Sequence, residues 1–437
     1  MTRPLPANTL VENLRDARAR TIELVQGLSG EQLMGPRLDI VNPLLWEIGH
    51  LAWFHEHFIL VATDGAEPLL ANADELYDSM AVAHDTRWDL PLPSLEDTLD
   101  YMARVEDALV ARLPRRTASD DDIYLYQLTT FHEDMHDEAF TYTRQTLGYP
   151  TPEFAGAADG ATTDAEAGAL LGDVAVPGGV LELGAWPDAP FVFDNEKWAH
   201  KVELEPFRIA RAPVTNAAFQ AFVADDGYAK PKLWSDDGWA WREAAGAEHP
   251  VHWVPGPEGG WSVRLFDRFI EMQPDRPVIH VNWFEANAWC QWAGRRLPSE
   301  AEWEAAAASE PTMDGKQLSS KKRRHPWGDA PPEPQHANLD GRNIGCVDVG
   351  AFAAGDSAFG CRQMIGNVWE WTSSPFEPYP GFSPDPYKDY SQPWFGVPKV
   401  LRGGAWATRG RMISNIYRNF FNPNRRDVFA GFRTCAR

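Results

Sequence analysis

Helical periodicity that runs through the first 150 residues and then stops constrains this chain more than any other feature. Leu10, Leu14, Ala17, Thr21, Leu24 and Val25 recur at helical spacing behind Asn8, a residue suited to an N-cap. A second helix is expected from Pro43, in its first turn, to Ala62. A third starts after Ser94, with Asp97 placed as in a capping box, and carries Leu95, Leu99, Met102, Val105 and Leu109. A fourth spans Asp120 to Leu147 and stops at Gly148 and Pro150. Four long helices of this kind predict a four-helix bundle. The connection from Thr63 to Pro93 is long, and long loops in compact domains often carry function.

From residue 155 the composition changes. Residues 155–176 are small and acidic, and read as a linker between a bundle of residues 1–154 and a second domain of residues 177–437. In that domain short apolar runs alternate with Gly and Pro, at 178–184, 277–283 and 399–406. One amphipathic helix is expected from Trp283 to Ala308. The chain holds 19 Trp, which predicts irregular aromatic packing, since each buried indole N–H needs a partner. The run Lys321–Arg324 reads as a solvated loop.

Charge and cysteine usage narrow the function classes. Lys plus Arg number 40 and Asp plus Glu 63, a formal charge of −23. That balance argues against a nucleic-acid partner and against a polybasic membrane surface. The most apolar stretch, Val41–Ala62, contains Glu47, His50, His55, Glu56 and His57, so it is no plain membrane span. With no apolar leader at the N-terminus, a soluble cytoplasmic protein is expected. Cys290, Cys346, Cys361 and Cys435 form no CxxC pair, so neither a zinc ribbon nor a disulfide framework is indicated.

The strongest local chemistry is His132-Glu133-Asp134-Met135-His136 on the fourth helix. Residues four apart differ by about 40° around a helix, so both imidazoles can face one point, as a metal-ligand pair does. Two interior histidines satisfied by hydrogen bonds would show the same spacing. Carboxylates at 133, 134, 137 and 138 crowd that turn, however, which favours a metal. The five residues also spell HExxH, with Glu133 as the general base of a zinc hydrolase. The extended form of that motif wants Gly and His where Ala139 and Tyr142 stand. Glu138 suits a supporting role behind the ligands. The better third ligand is His50 on the second helix, where Gly49 would allow close helix approach; His55 and His57 are rivals. Three neutral imidazoles with open positions suit Fe(II) or Zn(II), and residue type does not choose between them.

The N-terminal half resembles a DinB-like bundle, with His132, His136 and Glu138 as its HxxxHxE motif. The C-terminal half resembles the formylglycine-generating-enzyme (sulfatase-modifying-factor) domain, a C-type-lectin-like fold. The residues that carry this likeness are Pro213–Asn216, Pro277–Trp283 with Ala286–Cys290, Gly294–Glu304, Pro326–Gly328, Gly366–Trp371, Leu401–Trp406 and Phe429–Arg433. An α+β chain with the two domains in this order resembles the ergothioneine-type sulfoxide synthases over nearly its whole length. The resemblance implies mononuclear nonheme Fe(II) on His50, His132 and His136, in an active site between the domains. It implies O2-dependent bonding of a sulfur or selenium donor to C2 of the imidazole of hercynine (Nα-trimethylhistidine). Tyr387 matches a catalytic Tyr near the iron that gives a proton or hydrogen atom during oxygen reduction. Tyr390 matches a substrate-binding Tyr, and Asn419 and Phe420 match a segment lining the trimethylammonium pocket. An aromatic wall suits a cation that has no N–H to bond.

Departures from that pattern bear on the donor. Members that use γ-glutamylcysteine hold its glutamyl carboxylate with two Arg. Here Arg87 remains, and His84 stands at the other position. Those members also carry an Asp where this chain has Phe421, and a Gln where it has Met135. An Arg-to-His change loses a bidentate fork, and an Asp-to-Phe change removes a partner for the donor's ammonium. A neutral donor fits better, which leans the resemblance toward the selenoneine synthase branch and its selenosugar, with Arg87 and Arg425 orienting the donor. An ergothioneine sulfoxide synthase using cysteine or γ-glutamylcysteine is the alternative. Other classes weighed are a non-catalytic lectin-like binding module, a DinB-type thiol transferase, and copper-dependent protein oxidation. The last needs a Cys pair, and only Cys435 lies near the end of the domain.

Overall fold

Ser94 and Ser119 stand just ahead of long helical runs, and their hydroxyls accept the backbone N–H of Asp97 and Asp122. The computed structural model describes residues 5–113, 119–157, 167–256 and 260–437. It contains the expected bundle helices α1 (Ala7–Val25), α2 (Leu44–His55), α3 (Leu95–Arg112) and α4 (Asp120–Leu147). Asn8 lies inside α1, and Pro6 takes the cap position. Helix α1 packs on α4, and α2 packs on both α3 and α4. Leu14, Ala17, Leu24, Ile48, Leu51, Val105, Leu109 and Phe140 are buried among them.

Helix α2 is buried almost all round, its polar residues Glu47, His50 and His55 included. Beyond His55 it continues as a wider π-helical turn, Glu56–Val61, so the α-helix expected through Ala62 changes register there. The long connection that follows is not bare. It folds a short helix over Ala73–Tyr77 and a 3-10 turn over His84–Thr86. A Cβ at Gly49 would meet the Tyr77 ring at 2.2 Å. The small residue therefore admits Tyr77, not the close approach of a second bundle helix.

Contacts divide the chain into two units, Met1–Ala155 with Asp188–Phe191, and Gly156–Pro187 with Val192–Arg437. The stretch 155–176, expected as a linker, carries a strand at Asp173–Val176 that pairs antiparallel with Phe207–Ala210. Its alternating valines suit a strand, a signal the small and acidic composition of the whole stretch hides. Residues 158–166 of that expected linker lie outside the described residues.

Two four-stranded sheets organise the second unit. One has the order Asp173–Val176, Phe207–Ala210, Cys435–Ala436, Arg295–Arg296. The other has the order Asn419–Phe421, Lys399–Arg402, Trp369–Pro375, Ala430–Gly431. In it Val400 lies opposite Phe420 and Glu370 opposite Arg402. The single helix expected over 283–308 is two helices, Trp283–Ala293 and Glu300–Ala308. Gly294, at φ 67°, closes the first in the left-handed conformation, and Ser299 caps the second.

The tryptophans pack as their number predicts. Trp303, Trp369, Trp371 and Trp406 are almost wholly buried. Trp303 donates to Glu370 Oε2 at 2.7 Å, Trp371 to the Val281 carbonyl at 2.9 Å, and Trp283 to the Thr372 carbonyl at 2.8 Å. Buried charges are paired as well. Arg418 and Arg402 both donate to Glu300 Oε1, at 2.7 and 2.8 Å. Such a set fixes the backbone that bears it, because any slippage strands a charge away from water. Among the described residues no helix is long and apolar enough to cross a membrane.

Candidate metal centre

Helix α2 presents His50, and α4 presents His132 and His136 one turn apart. Each offers a ring nitrogen, and the three lie within 4.8 Å of one another. Nε2 of His50 is 3.4 Å from Nε2 of His132. Nitrogens that each stand about 2.1 Å from one metal are at most about 4.2 Å apart, a limit the His50–His132 pair meets.

Neighbouring groups set the tautomers. Nδ1 of His50 is 2.8 Å from the Tyr77 carbonyl, which can only accept. The proton therefore sits on Nδ1, and Nε2 shows its lone pair to the centre. Nδ1 of His136 likewise donates to Glu47 Oε1 at 3.1 Å, and Asn42 Nδ2 donates to the same oxygen at 3.2 Å. The His132 ring lies flat on Phe54, with ring centres 3.6 Å apart and planes 5° off parallel. Burial, helped by the neighbouring His136, pushes His50 and His132 well below the usual histidine range, so both are neutral at neutral pH. Two neutral imidazoles, His50 and His132, and a third whose Nδ1–H is held by Glu47 offer the nitrogen donors that a three-histidine metal site uses.

Glu47 is the residue that reading the sequence missed. It sits three positions before His50, on the same side of α2, and its carboxylate is buried. A carboxylate three positions before His50, in an otherwise apolar stretch, was the available signal. Its partner lies 89 residues away, which no local pattern shows. Glu47→Ala is expected to weaken metal binding about 10–100-fold, the usual effect of removing a carboxylate that orients a ligand histidine. Competition with a chelator measures it, and an unchanged affinity would show that the contact does nothing for His136.

The other expected residues of the bundle sort clearly. His55 is not a ligand. It donates from Nε2 to Glu133 Oε2 at 2.8 Å. His57 is part exposed and faces Trp53 and Asp74. Glu133 corrects the zinc-hydrolase reading. Its carboxylate takes Arg18 Nε at 2.8 Å, Thr21 Oγ1 at 2.9 Å and His55. Despite burial, Arg18 and His55 hold it well below the usual carboxylate range, so it is spent as a base. Glu138 is buried and Met135 half-buried on the same stretch of α4.

Arg87 sits behind His50. The Arg87 guanidinium lies 3.9 Å over Trp46, which itself stacks on His50 at 4.9 Å. Its N–H groups go to Asn42 Oδ1 at 2.7 Å and to the carbonyls of Ser79 and Val82. His84 Nε2 donates to the Val41 carbonyl at 2.7 Å.

In the second unit the expected aromatic residues do gather. Tyr390 is 5.4 Å from Phe420, 6.0 Å from Tyr387 and 5.1 Å from Phe193 between ring centres. Phe420 stacks on Phe376 at 3.9 Å. The Tyr390 hydroxyl is 3.5 Å from that of Tyr417. Phe193 and Tyr417 were not expected, since neither stands in a patterned motif. Burial pushes the Tyr387 and Tyr390 phenols up, so both keep their protons. Asn419 Oδ1 accepts the Phe420 N–H at 2.8 Å. Arg425 lies over Phe421 at 5.3 Å and is paired with Asp427 at 2.6 Å. Cys435 is buried, and burial pushes its thiol up to about 12.

Comparison with known proteins places this architecture. Residues 13–140 match the DinB superfamily, and residues 160–437 match the sulfatase-modifying factor enzyme 1-like domain. A hercynine oxygenase of Mycolicibacterium thermoresistibile is 39% identical over 97% of this chain and 94% of its own length. One of Mycobacterium tuberculosis is 39% identical over 96% of this chain and 97% of its own. A formylglycine-generating enzyme of Streptomyces coelicolor is 33% identical over 54% of this chain and 78% of its own. Alignment nearly end to end, through both regions in the same order, shows that the chain belongs to the hercynine oxygenase family.

Proposed function

We propose that the chain is an iron- and oxygen-dependent enzyme that joins a chalcogen donor to C2 of the hercynine imidazole. The convergence of His50, His132 and His136, with lone pairs directed by the Tyr77 carbonyl and Glu47, is the observation that carries this reading. Fe(II) held there supplies oxygen activation and electron transfer. Phe420, Tyr390 and Phe193 offer π faces to the trimethylammonium group of hercynine. Asn419 shares that wall. The Tyr387 hydroxyl, kept protonated by burial, delivers its proton to oxygen as oxygen is reduced.

A selenosugar is the preferred donor in this proposal. The Arg87 fork is occupied by Asn42, Ser79 and Val82, and His84 by Val41. Phe421 offers no carboxylate, and Arg425 is held by Asp427. With these N–H groups engaged and no carboxylate at 421 to meet an ammonium, a neutral sugar is favoured over a zwitterionic amino-acid donor.

Aerobic incubation of the iron-loaded protein with hercynine and either a selenosugar, cysteine or γ-glutamylcysteine tests the proposal, with products weighed by mass spectrometry. The selenosugar adduct is expected to form at least about tenfold faster, a difference of 1.4 kcal/mol. A dominant γ-glutamylcysteine adduct would reverse the donor assignment to an ergothioneine sulfoxide synthase. No adduct with any donor would remove the bond-forming chemistry altogether.

A further inference from the structure

The turn bearing Tyr387 and Tyr390 belongs to no sheet. Between the strands Trp369–Pro375 and Lys399–Arg402 the chain forms only the 3-10 turns Lys388–Tyr390 and Gln392–Trp394. Ordering such a segment costs about 1–2 kcal/mol per residue, and with no neighbouring strand to pair with it relies on its own short turns and on side chains that tie it down. One carboxylate oxygen does so at both ends of the turn. Oδ2 of Asp194 accepts the Asp385 N–H at 3.3 Å and the Ser391 hydroxyl at 2.8 Å. Tyr387 and Tyr390 lie between those two attachments. Lys197, on the same side as Asp194, adds an ion pair to Asp385.

The anchor itself is firmly held. Asp194 opens the 3-10 turn Asp194–Glu196 and is buried, as is Ser391. The next residue's carbonyl, of Asn195, accepts Arg418 Nη1 at 2.6 Å. Arg418 is in turn bonded to buried Glu300. Preceding Asp194, Phe193 packs its ring on Tyr390 and Tyr417. A core element thus reaches out to the loop, with Asp194 holding both ends of the turn and Lys197 and Phe193 beside it.

We propose that Asp194 is a positioning residue, which clasps the Asp385–Ser391 turn and so sets where the Tyr387 hydroxyl stands. The inference rests on the role given to Tyr387 above. Asp194 touches no reacting atom; it acts through the tyrosine. Asp194→Asn keeps a carbonyl oxygen for both bonds, whereas Asp194→Ala keeps neither.

Hydrogen exchange on the metal-free protein reads the clasp without any turnover. Amides of residues 385–391 should exchange about tenfold faster or more in Asp194→Ala, with Asp194→Asn close to wild type and Ser391→Ala in between. In the iron-loaded protein, Asp194→Ala should lower adduct formed per O2 consumed about tenfold with iron content unchanged. Combined with Tyr387→Phe it should lower that ratio no further, because the two changes remove the same function. Unchanged exchange, or losses that multiply in the double variant, would overturn the proposal. Wild-type coupling in Tyr387→Phe alone would instead overturn the role of the tyrosine, and the positioning claim with it, while the exchange result would still report on the clasp.

Discussion

His132→Ala is expected to fold and to purify without stoichiometric metal. The substitution removes one of three converging nitrogens and leaves His50 and His136 as a two-point set. Loss of a ligand should exceed the 10–100-fold effect of losing an orienting partner, so the affinity should fall by more than about 100-fold. Some stability will go too, because the imidazole fills space against Phe54 and its removal leaves a cavity. Metal analysis after a chelator challenge is the measurement, with circular dichroism to establish folding. His57→Ala is the control, since that ring is part exposed and turned to Trp53 and Asp74. Full iron in His132→Ala would take this residue out of the ligand set.

Tyr387→Phe should show the complementary pattern, normal metal content with failed coupling. The ring and its stacking on Tyr390 survive, and only the hydroxyl is lost. A placed proton donor contributes typically 10²–10⁴-fold, so adduct formation should fall by about 100-fold or more. Oxygen consumption should fall less, and oxidised donor should accumulate in place of adduct. Coupling at the wild-type rate would show that the hydroxyl has no part in the chemistry.

Local signals served well where the interaction they report is itself local. Ser94, Ser119 and Gly148 mark the helix ends, because a cap binds backbone groups within one turn. The same logic places His132 and His136 on one side of α4. It failed where two local signals conflict. Apolar spacing from Trp283 to Ala308 argued for one helix, whereas Gly294 and Ser299 end one helix and start another. The alternating valines of Asp173–Val176 likewise stand inside an acidic, small-residue stretch.

The starts of α3 and α4, the end of α4, the paired histidines and the aromatic richness were therefore decided by the order of amino acids alone, since each depends on residues a few positions apart. The sequence favoured His50 over His55 and His57 as the third ligand, but what separates the three rings was decided only in three dimensions. His50, His55 and His57 offer the same ring, and the turn of the helix sends one to the centre, one to Glu133 and one toward solvent. The link from Glu47 to His136 and the clasp of Asp194 on Ser391 span 89 and 197 residues. Contacts that distant depend on how whole elements pack, and no local spacing records them.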